Sequence, residues 1–63
     1  MSDFKTRLET EKTELEAKLD KLDEFLVSEK VNDVDDVQKA LLHVQAIAMN
    51  AYLQCLKERI ERF

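Results

Sequence analysis

The sequence predicts an all-α fold: an antiparallel two-helix hairpin that assembles into a homo-oligomeric helical bundle. Three observations predict it. The 63 residues include no glycine and no proline, so helix breakers are missing and so are the residues that tight β-hairpin turns favour. Apolar residues recur at spacings of three, four and seven, as they do along one side of a helix. The second half of the chain is apolar over more of its circumference than the first half can cover.

The first helix is predicted over residues 3–28. Ser2 is a suitable N-cap, because its hydroxyl can accept a hydrogen bond from an amide of the first turn. Leu8, Leu15 and Leu22 recur every seven residues and form the centre of a narrow apolar seam. Most of the remaining positions are charged. The first helix is therefore expected to bury one seam and to lie on the outside of a bundle.

The second helix is predicted over residues 33–62, within a single domain that spans residues 1–63. The junction before it contains several competent N-caps: Asn32, Asp33 and Asp35. Asp33 is followed three residues later by Asp36, a pattern that resembles a capping box with Asp in place of Glu, so the helix is placed to begin near Asp33. Because the connection between the helices is short, they are expected to lie antiparallel.

The polar residues of the second helix share one strip, about 60° wide at 100° per residue. They are Asp36, Lys39, His43, Asn50, Gln54, Lys57 and Glu61. The remaining arc is largely apolar, so a lone hairpin would leave a long apolar face in water, and such a face marks an interaction surface. We predict self-association, as a dimer or a higher oligomer, through Leu41, Val44, Ile47, Ala48, Ala51 and Cys55. The alternative is that this face binds a different protein.

Neither catalytic residues nor a metal or cofactor site is predicted. His43 is the only histidine, and its strip carries no cysteine or carboxylate pair with which to form a metal site, so a solvated surface position is expected. Cys55 lies about 18 Å further along the helix, too far for a Cys/His nucleophile pair. Cys55 is interpreted as a small buried hydrophobe. The chain is not expected to be an enzyme.

The candidate ligand-binding residues lie towards the end of the second helix: Arg59, Tyr52, Arg62 and Lys57. Tyr52 on an apolar arc is either a core residue with its hydroxyl at the rim or a platform that stacks on a nucleobase. Arg59 lies at the centre of the apolar arc, where it either snorkels at the bundle end or points into an interface. Symmetry in an oligomer would bring copies of Arg59 together, and paired guanidinium groups bind phosphate or carboxylate bidentately. The ligand expected there from these residues is a small anion that carries a phosphate or a carboxylate.

A few polar residues interrupt the apolar surfaces. Glu11 and Lys12 interrupt the seam of the first helix, and Gln45 interrupts the arc of the second. We interpret them as residues that set the packing register. The alternative is that they are ligands of an internal polar pocket.

Charge and composition also exclude some partners. The chain has 14 acidic and 10 basic residues and a net charge of −4, so a nucleic acid polymer is a poor partner. No stretch approaches the roughly 20 apolar residues of a membrane span. One cysteine and an N-terminus without an apolar run predict a reducing, cytoplasmic location.

One run of the second helix is distinctive: Gln45, Met49, Tyr52, Arg59 and Ile60. On this run, and over most of the chain, the sequence resembles a family of small tailed-phage proteins related to a crAss-like phage protein. The preceding Ala46-Ile-Ala stretch is more apolar than that family's pattern. The resemblance implies a phage origin and a location in the host cytoplasm.

Small phage helical hairpins of similar size include oligomeric counter-defence proteins. Some sequester nucleotide immune signals between protomers, and others bind a host protein. By this analogy the resemblance implies a non-enzymatic accessory protein that acts by binding, with nucleotide sequestration as its first candidate role. The alternatives are a protein-binding inhibitor of a host or defence protein and a purely structural oligomeric subunit. Because fold does not determine function, each of them needs a site to support it.

Overall fold

The computed structural model describes residues 3–63 as two α-helices joined by a 3₁₀ helix. Helix α1 spans Asp3–Leu26, the 3₁₀ helix spans Glu29–Asp33, and α2 spans Asp36–Glu61. No strand occurs within these residues, which confirms the prediction of an all-helical, two-helix chain. The proposed N-cap Ser2 lies outside the described residues. Assembly into an oligomer stays a prediction.

The two helices run antiparallel. Lys12, in the first half of α1, lies beside Lys57 and Glu61 near the end of α2. Leu19, further along α1, lies beside Ala46 in the first half of α2. The order of these contacts is reversed along the two helices, as a hairpin requires.

Helix α1 ends two residues before the predicted position. The Ser28 hydroxyl donates a hydrogen bond to the Phe25 carbonyl oxygen at 2.7 Å, and the Ser28 amide donates to the same oxygen at 3.1 Å. Both bonds tighten the chain into an i to i+3 pattern, so the α-helix closes at Leu26 and the 3₁₀ helix follows. The prediction that α1 extends to Ser28 is wrong for this reason.

Helix α2 begins three residues later than predicted, because Asp35 is its N-cap. The Asp35 carboxylate accepts hydrogen bonds from the amides of Val37 and Gln38 at 3.1 and 3.3 Å. Asp33 is instead the last residue of the 3₁₀ helix, so the predicted capping box of Asp33 and Asp36 is wrong. At its other end α2 closes at Glu61, one residue before the predicted end.

The core is small and lies along one seam between the helices. It consists of Leu8, Leu15, Leu19, Leu53 and Leu56, with Ala46, Met49 and Ile60 packed at its margins. Leu56 is fully covered, at 0% exposure. This agrees with the predicted seam of α1, although Leu22 is only half-buried. Val31 of the 3₁₀ helix is also buried and holds the connection against the hairpin.

The hairpin is a thin rod of 48 × 15 × 13 Å with a radius of gyration of 14.5 Å. A compact chain of this length would have a radius of gyration of about 11 Å. The rod has an accessible surface of 5105 Å², whereas a compact monomer of its mass would have about 4,200 Å². Much of the apolar surface thus stays in water. Within residues 3–63 neither helix combines the length and the apolarity needed to cross a bilayer.

Candidate functional site

One side of α2 is apolar and faces away from α1. We call it the outer face; it consists of Val37, Ala40, Leu41, Val44, Ile47, Ala48, Ala51 and Cys55, all of them exposed. Ile47 is 71% exposed and Leu41 is 56% exposed. Every residue predicted to form an oligomer interface lies on this face. Exposed apolar surface of this extent is typical of a binding surface.

The helical repeat explains why α1 cannot cover the outer face. At 100° per residue, the side of α2 that packs on α1 is centred about 140° from the centre of the outer face. That buried side includes Met49, Leu53 and Leu56, which meet the single leucine seam of α1. From Ala40 to Leu56, α2 carries no Asp, Glu, Lys or Arg. The outer face therefore has no charged residues in its middle to solvate it.

A line of longer side chains separates the buried side from the outer face. Gln38, Gln45, Tyr52 and Arg59 follow one another at intervals of seven residues, so they lie nearly in a row along α2. We call this row the polar ridge. All its members are exposed, and Gln45 Nε2 donates to Met49 Sδ at 3.9 Å. The ridge borders the outer face on the side nearer to α1.

The structure brings Tyr52 and Arg59 onto the same ridge, two helical turns apart, which is about 10 Å. Tyr52 is 46% exposed and Arg59 is exposed, so both side chains are open to a ligand or a partner. Arg62 is also exposed and lies just beyond the end of α2, on the outer-face side. An aromatic ring and one or two guanidinium groups thus share one end of the rod.

Lys57 lies apart from the other candidate ligand-binding residues. It is half-buried and lines a hollow of about 260 Å³ with Lys12, Ile60 and Glu61, on the side that faces α1. A single chain does not bring Lys57 next to Tyr52 and Arg59. The participation of all four predicted residues in one site stays a prediction.

Gln38 was not among the predicted ligand-binding residues, and Gln45 was considered only as a residue that sets the register or as a ligand of an internal polar pocket. The spacing of seven that joins them to Tyr52 and Arg59 was the signal that could have found them. Gln45 is exposed, so in the single chain it does not line an internal polar pocket, whereas Glu11 and Lys12 are half-buried at the margin of the α1 seam.

The two residues considered for nucleophile or metal chemistry, His43 and Cys55, lie twelve positions apart on α2. His43 is exposed on the polar strip, which confirms its predicted surface position. Cys55 is exposed on the outer face, so the prediction of a buried thiol is wrong for the single chain, because α1 covers only the other side of α2. Within residues 3–63 no three His, Cys, Asp or Glu side chains are grouped so as to hold a metal ion.

Similar proteins point to phages. The chain is 37% identical over 60 residues to an uncharacterized 7.5 kDa protein of the denB-rIIB intergenic region of Enterobacteria phage T4, an alignment that covers 95% of this chain and 94% of that protein. No solved structure matches the chain. The predicted relation to crAss-like phages stays a prediction, but the T4 relative supports a small phage protein. The Sequestin family model matches residues 2–62, and the chain therefore belongs to the Sequestin family.

Proposed function

We propose that this protein is a non-enzymatic phage accessory protein that works in the host cytoplasm by binding. In this proposal it forms a homo-oligomer through the outer face of α2 and counters host defence by sequestering a small anionic nucleotide signal between protomers. The observation that carries the proposal is the position of Tyr52 and Arg59 beside an apolar face that α1 leaves exposed. The family name, Sequestin, is consistent with a sequestering role.

The chemistry of the ridge fits a nucleotide. The Tyr52 ring supplies a face on which a base stacks, and the Arg59 guanidinium supplies paired donors for a phosphate. Arg62 adds a second cation at the same end, and Lys57 adds a third where the assembly brings it within reach. No cofactor is needed, because the proposed action is binding alone.

The shape of the single chain supports a site between protomers. Ligand sites are concave and enclose most of their ligand, whereas one side of a two-helix rod is convex. A nucleotide on Tyr52 and Arg59 of one chain alone would keep one side in water. A second protomer on the adjoining outer face supplies the missing wall.

Two measurements on the purified protein test this function. Light scattering is expected to give the mass of an oligomer at micromolar concentration. A thermal-shift panel of cyclic nucleotides and ADP-ribose derivatives is expected to contain at least one compound that raises the melting temperature. Arg59→Ala should abolish that rise, whereas Arg7→Ala, which removes an exposed arginine of α1, should preserve it. A panel without any stabilising compound would contradict nucleotide sequestration.

The exposed outer face also supports a second candidate, an inhibitor that binds a host or defence protein. An amphipathic helix of such a protein could occupy the same apolar surface. A monomeric protein that ignores the nucleotide panel but co-purifies with one host protein would favour this candidate. A stable oligomer that binds neither nucleotide nor host protein would favour the structural-subunit alternative.

A further inference from the structure

We propose that a second copy of this chain covers the outer face with its own α2 running antiparallel, and that this pairing completes the polar ridge with a residue of the partner. The two-fold axis crosses the pair at the point along α2 that lies halfway between Val44 and Ala48. The inference rests on the proposed self-association and gives it a geometry. Surface area, side-chain size and charge each support it.

The excess surface of the rod has the size of a dimer interface. The chain exposes 5105 Å², about 900 Å² more than a compact monomer of the same mass. Stable protein interfaces bury about 800 Å² on each partner. The outer face from Val37 to Cys55 is about 27 Å long, and it continues in the side chains at both ends. One copy on this face therefore removes about as much surface as the rod has in excess.

Side-chain sizes along the outer face alternate in a way that suits an antiparallel partner. The central positions follow spacings of four and three, as in a helix-packing seam, and antiparallel pairing about the stated axis places a branched side chain beside a small one in each layer. The pairs are Leu41 with the partner's Ala51, Val44 with the partner's Ala48, and Val37 with the partner's Cys55. A parallel pair in register would instead stack Leu41 on its copy and Ala48 on its copy, crowding one layer and leaving a void in another.

Charge at the ends of α2 favours the same orientation. The beginning of α2 and the residues before it are acidic: Asp33, Asp35 and Asp36. The other end carries three basic residues, Lys57, Arg59 and Arg62, among two acidic ones, Glu58 and Glu61. An antiparallel pair places the basic end of one chain beside the acidic beginning of the other and opposes the two helix dipoles. A parallel pair places each kind of charge beside its own copy.

Antiparallel pairing also places the two polar ridges along one groove. The two-fold axis is perpendicular to the plane that contains the two α2 helices. The polar ridges of both chains therefore lie on one side of that plane. The partner's Gln38 then lies beside Tyr52, and the partner's Gln45 lies across from Gln45. Because the ridge lies on the side nearer to α1, the two α1 helices border this groove.

The groove contains two equivalent ligand sites. Each has Tyr52 and Arg59 from one chain and Gln38 from the other, and the amide adds donors and acceptors for the edge of a stacked base. The two Arg59 side chains lie about 40 Å apart, at opposite ends of the groove. This geometry replaces the expectation that symmetry brings the arginines together.

The lone cysteine permits a direct test of the orientation. After mild oxidation, the wild-type protein is expected to stay free of disulfide-linked dimers on a non-reducing gel, because antiparallel pairing separates the two Cys55 thiols by about 27 Å. Val37→Cys, which leaves Cys55 in place, is expected to link most of the protein as a dimer. Val37→Cys/Cys55→Ser is the matched control and should not link. Circular dichroism checks that each variant keeps its helices.

Any other result of the cross-linking or light-scattering measurements overturns the proposed pairing. A wild-type dimer linked through Cys55, or linkage of the Val37→Cys/Cys55→Ser control, would show parallel pairing. A dimer in solution that fails to link after Val37→Cys would show a different register or surface. A monomer by light scattering would show that a second copy is not the occupant. The nucleotide panel reports separately: an antiparallel dimer without a stabilising compound would uphold the pairing and would overturn both nucleotide sequestration and the two ligand sites in the groove.

Discussion

The two apolar sides of α2 have similar sequences and opposite environments. The buried side meets a leucine seam and includes Leu56, which is fully covered, whereas the outer face leaves Leu41 at 56% exposure. Both sides follow the same spacings of three and four. Their environments differ because α1 has one apolar seam and can cover only one side of α2. The comparison shows that α1 packs against one apolar side of α2 and leaves the other side exposed.

The largest expected effect is on the buried side. Leu56→Ala is expected to lower the free energy of unfolding by about 2–5 kcal/mol, because it leaves a cavity in a core that has few side chains to fill it. Urea denaturation followed by circular dichroism measures this. Leu41→Ala is the matched control on the outer face. At protein concentrations low enough to give monomers, its effect should stay within about 0.5 kcal/mol. Equal losses for the two variants in monomers would contradict the described packing.

The next effect is on the outer face. Ala48→Glu is expected to weaken self-association about a hundredfold or more, because it places a carboxylate in an apolar interface, and to leave the helical content unchanged. Light scattering over a dilution series measures the change. Asn50→Glu places the same charge on the polar strip and should keep the wild-type mass. An Ala48→Glu variant that assembles like the wild type would exclude the outer face as the interface.

A smaller effect distinguishes the polar ridge from the polar strip. With a nucleotide that raises the melting temperature, Gln38→Ala is expected to weaken binding about tenfold, because the site loses one or two hydrogen bonds from the amide. Isothermal titration calorimetry measures the affinity. Gln54→Ala removes the same kind of side chain from the opposite margin of the outer face and should leave the affinity unchanged. Similar losses for both glutamines would argue against a ligand groove along the ridge.

The smallest effect concerns the beginning of α2. Asp35→Ala is expected to lower the free energy of unfolding by about 1 kcal/mol, because the amides of Val37 and Gln38 lose their acceptor. Thermal denaturation at one protein concentration is sufficient to detect it. Asp33→Ala, at the end of the 3₁₀ helix, should change stability by less than about 0.5 kcal/mol. A larger effect at Asp33 than at Asp35 would contradict the observed cap.

The sequence pattern predicted the helices better than their ends. The leucine spacing of α1 and the width of the apolar arc of α2 depend on many residues, so single exceptions do not change them. The boundary of α2 depends on one choice among neighbouring caps with the same side-chain chemistry. In the structure Asp33 ends the 3₁₀ helix, which carries the buried Val31, and Asp35 is the residue that caps α2. No local pattern contains that information.

In the candidate site, too, some features follow from the sequence and others depend on how the hairpin packs. Tyr52 and Arg59 were predicted from chemistry and helical spacing, and the structure keeps them exposed on one side. Lys57 was grouped with them by its closeness in sequence and its charge, but the hairpin turns it towards Lys12. The spacing of seven places Gln38 and Gln45 in one row, but only the position of α1 shows that this row lies on the margin of the outer face nearer to α1.

The sequence by itself determined that this protein is helical, that α1 offers one apolar seam, and that α2 has more apolar surface than one seam can cover. These properties depend on composition and periodicity, which the backbone geometry of a helix converts directly into faces. Only the tertiary structure decided which side of α2 is covered, where each helix ends, and which polar residues lie beside the uncovered face. Those choices depend on packing between residues distant in sequence, since the leucine seam of α1 can occupy only one side of α2.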